Sequence, residues 1–212
     1  MKFALKEEVT IKDIFPASKF RFKVYNGSNV PFDELDFSKV NSYDDGYLGK
    51  GMYVSESKEE AESYGEYLHS FFINTRNPFN FSDIPVRLKK ELCRGIAVNY
   101  LDKIRSGDCP NFEYFINSLS SNYLKEGEVD TLKYSLMMAK KGKLTKEDLY
   151  YCLLIFFNNP YCIYKGALMD FSDFLTPFLK RHGYDCAYIS ADGVQHMEIL
   201  VFSPNQLYMI KE

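Results

Sequence analysis

The chain has 212 residues, 46% hydrophobic and 26% charged, the proportions of a soluble globular protein built as one domain or one domain with an inserted lobe. Twenty-six basic against 29 acidic residues leave a formal charge of -3, so no global positive field draws in a polyanion. That disfavours nucleic acid as an obligatory, sequence-blind partner and leaves only a local basic patch open. Glu7, Glu8 and Lys12 stand where a secretory apolar region would lie, and no window approaches about 18 uncharged apolar residues, so neither signal peptide nor membrane span is expected. The five cysteines are odd in number, widely spaced and without a C-x-x-C pair, and there are three histidines. A disulfide framework or a metal site is not expected, and a reducing cytoplasmic setting suits the chain.

Residues 20–25 alternate apolar and charged side chains before Asn26-Gly27-Ser28-Asn29, which predicts a strand running into a loop. The polar stretch to Lys50, punctuated by Asp44-Asp45-Gly46 and Gly49-Lys50-Gly51, predicts a long and therefore functional loop. Met52-Tyr53-Val54 predicts a short strand, and Ser57-Lys58-Glu59-Glu60 a capping box opening a helix through about His69. Residues 70–81 return to strand character, bent at Asn77-Pro78. Beyond Pro85, apolar residues recur at helical spacing from Val86 to Ile104, and further helices are predicted at 111–125, 129–141, 146–157 and 172–182. Strands at 185–190 and 198–202, with a short third at 207–210, close the chain. Strands at both ends with helices between them predict an α+β fold, divided as 1–83, a helical insertion at 84–170, and 171–212.

The dinucleotide-binding, P-loop, zinc-protease and serine-hydrolase motifs are all missing. What stands out is a dispersed set: Tyr25-Asn26-Gly27-Ser28, Gly49-Lys50-Gly51-Met52-Tyr53-Val54-Ser55, Ala61-Glu62-Ser63-Tyr64-Gly65, and Glu198-Ile199-Leu200-Val201-Phe202-Ser203-Pro204-Asn205-Gln206. Taken in order, these pieces resemble the ADP-ribosyltransferase superfamily in its His-Tyr-Glu branch, with its diphtheria-toxin-like and poly(ADP-ribose)-polymerase-like enzymes. The small transferase domains of phage and other mobile elements are the nearest likeness. Typical members read Y-H-G-[ST], G-x-G-x-Y-[FV], A-x-x-Y-G and E-[YI]-[VL]-V-F-x-P-x-Q-[IL], and the resemblance covers about residues 20–83 and 171–212.

The resemblance implies a two-sheet β-sandwich core and NAD as co-substrate, with no metal. Glu198 would hydrogen-bond the 2-hydroxyl of the nicotinamide-side ribose, stabilise the cationic sugar and orient the acceptor. The bland alternative is a strand-end surface residue. Tyr53 and Tyr64 would sandwich the nicotinamide ring, by stacking with partial cation–π character, or else serve the core. Gly27 would let the backbone approach the nicotinamide amide, or simply make a turn. Ser28 and Gly51 belong to the same binding motifs, and Lys50 and Ser55 would touch phosphate or ribose, or be plain surface residues. Asn26 departs from the branch by standing where His is usual. Asn both donates and accepts, so it can replace a neutral imidazole at a ribose hydroxyl. Tyr25 is a partial stand-in, although strand alternation puts it on the opposite face from Asn26. His196 shares a strand face with Glu198 where arginine-modifying members carry Gln or Glu, so an arginine acceptor is not expected.

The favoured reading is a mono-ADP-ribosyltransferase acting on a macromolecular acceptor, with a host protein ahead of nucleic acid and no membrane partner, in the manner of a phage or bacterial effector. NAD glycohydrolysis is a variant on the same residues. A second reading is a catalytically weak NAD-binding or protein-binding module working through its helical lobe. A third treats the motif matches as coincidence in an unclassified α+β protein. Oligomeric state is not legible, since no heptad or apolar stripe marks an interface.

Overall fold

The computed structural model describes residues 9–35, 46–118, 124–190 and 197–210. His196 and the Asp44-Asp45 pair therefore lie outside the described residues. In chain order the elements are α1 (Ile11–Ile14), β1 (Val24–Ser28), β2 (Met52–Ser55), α2 (Lys58–Glu62), β3 (Tyr67–Ile73) and β4 (Pro78–Asn80). Six helices follow, α3 (Val86–Ser106), α4 (Pro110–Ser118), α5 (Glu126–Lys140), α6 (Lys146–Phe157), α7 (Pro160–Tyr164) and α8 (Ser172–Arg181). The chain closes with β5 (Cys186–Ile189), β6 (Glu198–Val201) and β7 (Leu207–Ile210). The α+β class read from the sequence is the observed one.

The strands lie in the order β4-β5-β6-β2-β1-β3-β7, antiparallel except for β4 and β5. The expected two sheets are corrected in one respect, since all seven strands are joined by hydrogen bonds. The joint is narrow: β1 meets β2 at the single pair Tyr25 and Ser55, whereas β2 pairs with β6 over four residues and β1 with β3 over five. A four-stranded half and a three-stranded half thus diverge along the β1–β2 seam.

Directly paired residues share a face of a sheet. One face carries Leu200, Ala187, Ile189 and Phe79, which join α3 to α8 in one large core. The other carries Met52, Val54, Ile199, Val201, Val24 and Phe71 in a smaller one. The helical segment therefore packs directly over one face of the sheet. In α3 the spacing Leu88, Leu92, Ile96, Tyr100 and Ile104 forms the buried stripe, and Gly107, at φ 83, ends it in the left-handed conformation. Thr145 and Asp148 cap α6 reciprocally, with Asp148 N donating to Thr145 Oγ1 at 3.1 Å and Thr145 N to Asp148 Oδ2 at 2.9 Å.

Two predicted elements need correction. Asn26, Gly27 and Ser28 belong to β1 rather than to a loop, because β3 lies alongside and pairs with each of them. The helix opened by Ser57 stops at Glu62 instead of about His69. Continuing it would forfeit the pairing of β3 with both β1 and β7, and the turn that replaces it presses on β1: a side chain at Gly65 would meet the Ser28 carbonyl carbon at 2.2 Å. Tertiary pairing overrides the local helical preference here.

Candidate active site

Residues 198, 55, 25 and 70 form a row across the sheet, each directly opposite the next: Glu198 against Ser55, Ser55 against Tyr25, Tyr25 against Ser70. The row lies on the helix-facing side. Glu198 exposes 7% of its surface and Ser55 and Ser70 5% each, an unusual run of polar residues on a face otherwise devoted to packing. The Ser55 hydroxyl accepts from Ser57 N at 3.0 Å, which leaves its own proton to donate.

Tyr53 stands two residues before Ser55 on the same face, opposite Leu200. Its hydroxyl accepts from Leu48 N at 2.7 Å and donates to Gly49 O at 3.1 Å, so it fastens the loop that precedes β2. Gly46, at φ 62, allows this wrap, because a Cβ there would lie 2.3 Å from the Tyr53 ring. Gly51 allows the loop to close on β6, where a Cβ would meet Val201 O at 2.4 Å. The Lys50 carbonyl accepts from Thr176 Oγ1 at 2.8 Å, and its ammonium pairs with Asp173 of α8 at 2.6 Å. Gly49-Lys50-Gly51 thus docks the loop on α8 and β6.

The wrap delivers Tyr47, whose ring packs on Tyr53 at 5.8 Å and meets the edge of Tyr164, from α7, at 6.0 Å. Burial, and after it the Glu198 carboxylate, holds the Tyr47 hydroxyl far above the ordinary phenol range. Tyr164 is raised by the same two causes in the same order, with Glu60 adding to them. Tyr64 lies in the turn after α2, 60% exposed, with its hydroxyl donating to Glu60 Oε1 at 3.2 Å. Burial of that hydroxyl end, then the charges of Glu198 and Glu60, raise it too. All three phenols are favoured in their protonated form, the Tyr64 proton being already given to Glu60.

Asn26 and Gly27 sit on the seam. The Asn26 side-chain amide donates to Tyr53 O at 2.9 Å, bridging β1 to β2 just past their one ladder pair. Its carbonyl oxygen remains an acceptor. Gly27 faces α2, where a Cβ would lie 1.9 Å from Ala61 O. Ser28 turns away, donating to Val30 O at 2.8 Å and accepting from Val30 N at 3.1 Å. Tyr25 is on the Glu198 face, two strands away in the row.

A buried carboxylate opening β6, set beside aromatic hydroxyls at the seam of a split sheet, is the context in which the chain's relatives become informative. A family described as "ADP-Ribosyltransferase in polyvalent proteins" matches residues 21–212. The chain belongs to that family. The family is one of phage and other mobile elements, and ADP-ribosyltransferases as a group use NAD as substrate. The match runs through the helical segment, so α3 to α8 are within the transferase family's own length. No curated protein matches the chain. A crystal structure of an anti-CRISPR protein aligns over 89% of this chain and 95% of its own, at 15% identity and a TM-score of 0.35, too loose a likeness to carry an argument.

Within this transferase domain, two residues at Glu198 escaped sequence reasoning: Tyr47 and Tyr164. Tyr47 stood two residues before the Gly49-Lys50-Gly51 motif, close enough to have been weighed with it. Tyr164 carried no local signal, since α7 was not anticipated within the helical segment. Among the described residues no group of three or more His, Cys, Asp or Glu side chains is placed to hold a metal ion. No described helix is long and apolar enough to cross a membrane.

Proposed function

We propose that the protein is an NAD-dependent mono-ADP-ribosyltransferase that moves ADP-ribose to a macromolecular acceptor, a protein in preference to a nucleic acid, with release of nicotinamide. The observation that carries this reading is Glu198, a buried carboxylate beside Tyr47, Tyr64 and Tyr164 at the start of a strand whose partner β2 begins with the Gly51-to-Ser55 motif. Breaking the nicotinamide–ribose bond leaves positive charge on the ribose, and a carboxylate in a water-poor setting stabilises it strongly. Ser55, directly opposite, is placed to orient that carboxylate, and the half-exposed ring of Tyr64 offers a face for stacking.

Asn26 supports binding at the seam through its carbonyl oxygen, while its amide is committed to Tyr53 O. That commitment is the observation behind the second reading, a module that binds NAD or a partner protein and turns over poorly. Transfer to water uses the same residues. Labelled NAD incubated with a bacterial lysate and wild-type protein, beside Glu198→Gln, separates the three. We expect label on a macromolecule, falling at least about a hundredfold in the variant. Nicotinamide release without labelled acceptor points to glycohydrolysis, and neither product from either protein points to the module.

A further inference from the structure

Among the described residues, two buried side-chain polar atoms lack a hydrogen-bond partner, the Tyr47 hydroxyl and His69 Nε2. His69 pairs with Asn26 on the opposite face of the sheet and stacks on Phe32 at 3.7 Å. Tyr47 is inside the candidate site. Buried hydroxyls without an acceptor are rare enough that each one calls for a reason. The ring is held on two sides, by Tyr53 at 5.8 Å and edge-on by Tyr164 at 6.0 Å. Tyr53 in turn is paired with Leu200, which lies two residues beyond Glu198 on the same face. This packing sets the phenol beside the Glu198 carboxylate, its neighbouring acceptor, at a geometry looser than a well-formed hydrogen bond.

We propose that Tyr47 is the positioning residue of Glu198: its hydroxyl donates to one carboxylate oxygen, and so holds the other oxygen toward the sugar. The proposal rests on the reading of Glu198 as the catalytic carboxylate. It concerns a residue that the motif reading did not use and that acts through Glu198 alone. The polar groups around Glu198 come from four elements: Ser55 from β2, Tyr47 from the loop before it, Tyr64, bonded to Glu60, from the turn after α2, and Tyr164 from α7. The hydroxyl donors favour the ionised form. Taking away the Tyr47 donor therefore shifts Glu198 toward its protonated form.

Tyr47→Phe keeps the ring and its two aromatic contacts and removes only the hydroxyl. The first readout is carbon NMR of the glutamate side-chain carboxyls, with the Glu198 resonance identified by its loss in E198Q. The Glu198 titration midpoint should rise by about one pH unit in Y47F. The second is steady-state nicotinamide release: kcat should fall about tenfold, KM for NAD should stay within about twofold, and the acid limb of the pH profile should move up with the NMR midpoint. An unmoved midpoint in a folded Y47F protein overturns the proposal, and a lowered melting temperature with an unmoved midpoint does so too, marking Tyr47 as packing alone. Equal nicotinamide release by wild type and E198Q would instead sink the transferase reading, and the NMR midpoint would still decide whether Tyr47 acts on Glu198.

Discussion

The Asn26 side-chain amide is bonded to the main-chain carbonyl of Tyr53 at 2.9 Å, immediately beyond the one residue pair that joins β1 to β2. A side chain thus continues the ladder where the backbone abandons it, and the seam that it spans is the edge of the candidate site. The residue that departs from the family's usual His is a structural tie across that seam. Asn26→Ala should cost about 1 kcal/mol in urea unfolding, the net worth of one hydrogen bond. Asn26→Asp should cost more, because it sets a carboxylate against a carbonyl, and a loss no larger than that of the alanine variant would show that the amide is not the tie.

Gly27→Ala tests how α2 is seated. The new methyl group would lie 1.9 Å from Ala61 O, a backbone atom that cannot turn aside as a side chain does. A destabilisation of about 2 kcal/mol or more is expected by chemical unfolding. Because Glu60 sits on the displaced helix and Tyr64 follows it, nicotinamide release should drop in the same variant even at temperatures where it remains folded.

Tyr53 and Tyr64 were matched as a pair in sequence, yet their surroundings differ, and their variants should separate. Tyr53→Phe removes a hydroxyl bonded to both Leu48 N and Gly49 O, and should lower stability by about 1–2 kcal/mol while loosening the loop that carries Tyr47. Tyr64→Ala removes a ring that is 60% exposed, so the melting temperature should move little while NAD binding by calorimetry weakens about tenfold. Equal effects of the two on stability would refute this division.

His69 provides a pH test away from the site. Burial lowers its pKa from the ordinary value, against the opposing charge of Asp33. A depressed folded-state value means that stability is fully present above the unfolded pKa of about 6.5 and is lost as pH falls below it toward the folded value. Wild type should therefore lose stability on acidification through that window, while His69→Phe, which keeps a ring on Phe32, should be flatter there. The lowered carboxyls Asp13 and Glu91 act only below their ordinary values of 3.8 and 4.5, so their contribution is separable.

All five cysteines are buried and free, and burial pushes their thiols up, to about 11 for Cys152 and about 12 for Cys93, Cys109, Cys162 and Cys186. None is a nucleophile in the folded protein. Reaction with a thiol reagent at neutral pH should be negligible until denaturant is added, when five equivalents should react. Rapid labelling of one thiol in the native state would mean that its surroundings open far more readily than their packing indicates.

The amino-acid sequence by itself determined the class of the fold, the helices of the 86–181 segment other than α7, and the position of Glu198 on a strand. Each depends on signals carried within a few residues: helical spacing from Leu88 to Ile104, the Thr145 cap, and the run of apolar residues after Glu198. It also carried the resemblance to the ADP-ribosyltransferase superfamily, and the family match over residues 21–212 agrees with that. Tertiary structure alone decided that the strand read from residue 70 starts at Tyr67, since Tyr67 to His69 take their form from pairing with β1. It also decided which of seventeen tyrosines reach the carboxylate. Tyr47 arrives through the wrap of residues 46–51 around Tyr53, and Tyr164 through the docking of α7. Both are set by contacts between segments remote in the chain, where packing is specific and local pattern carries no record of it.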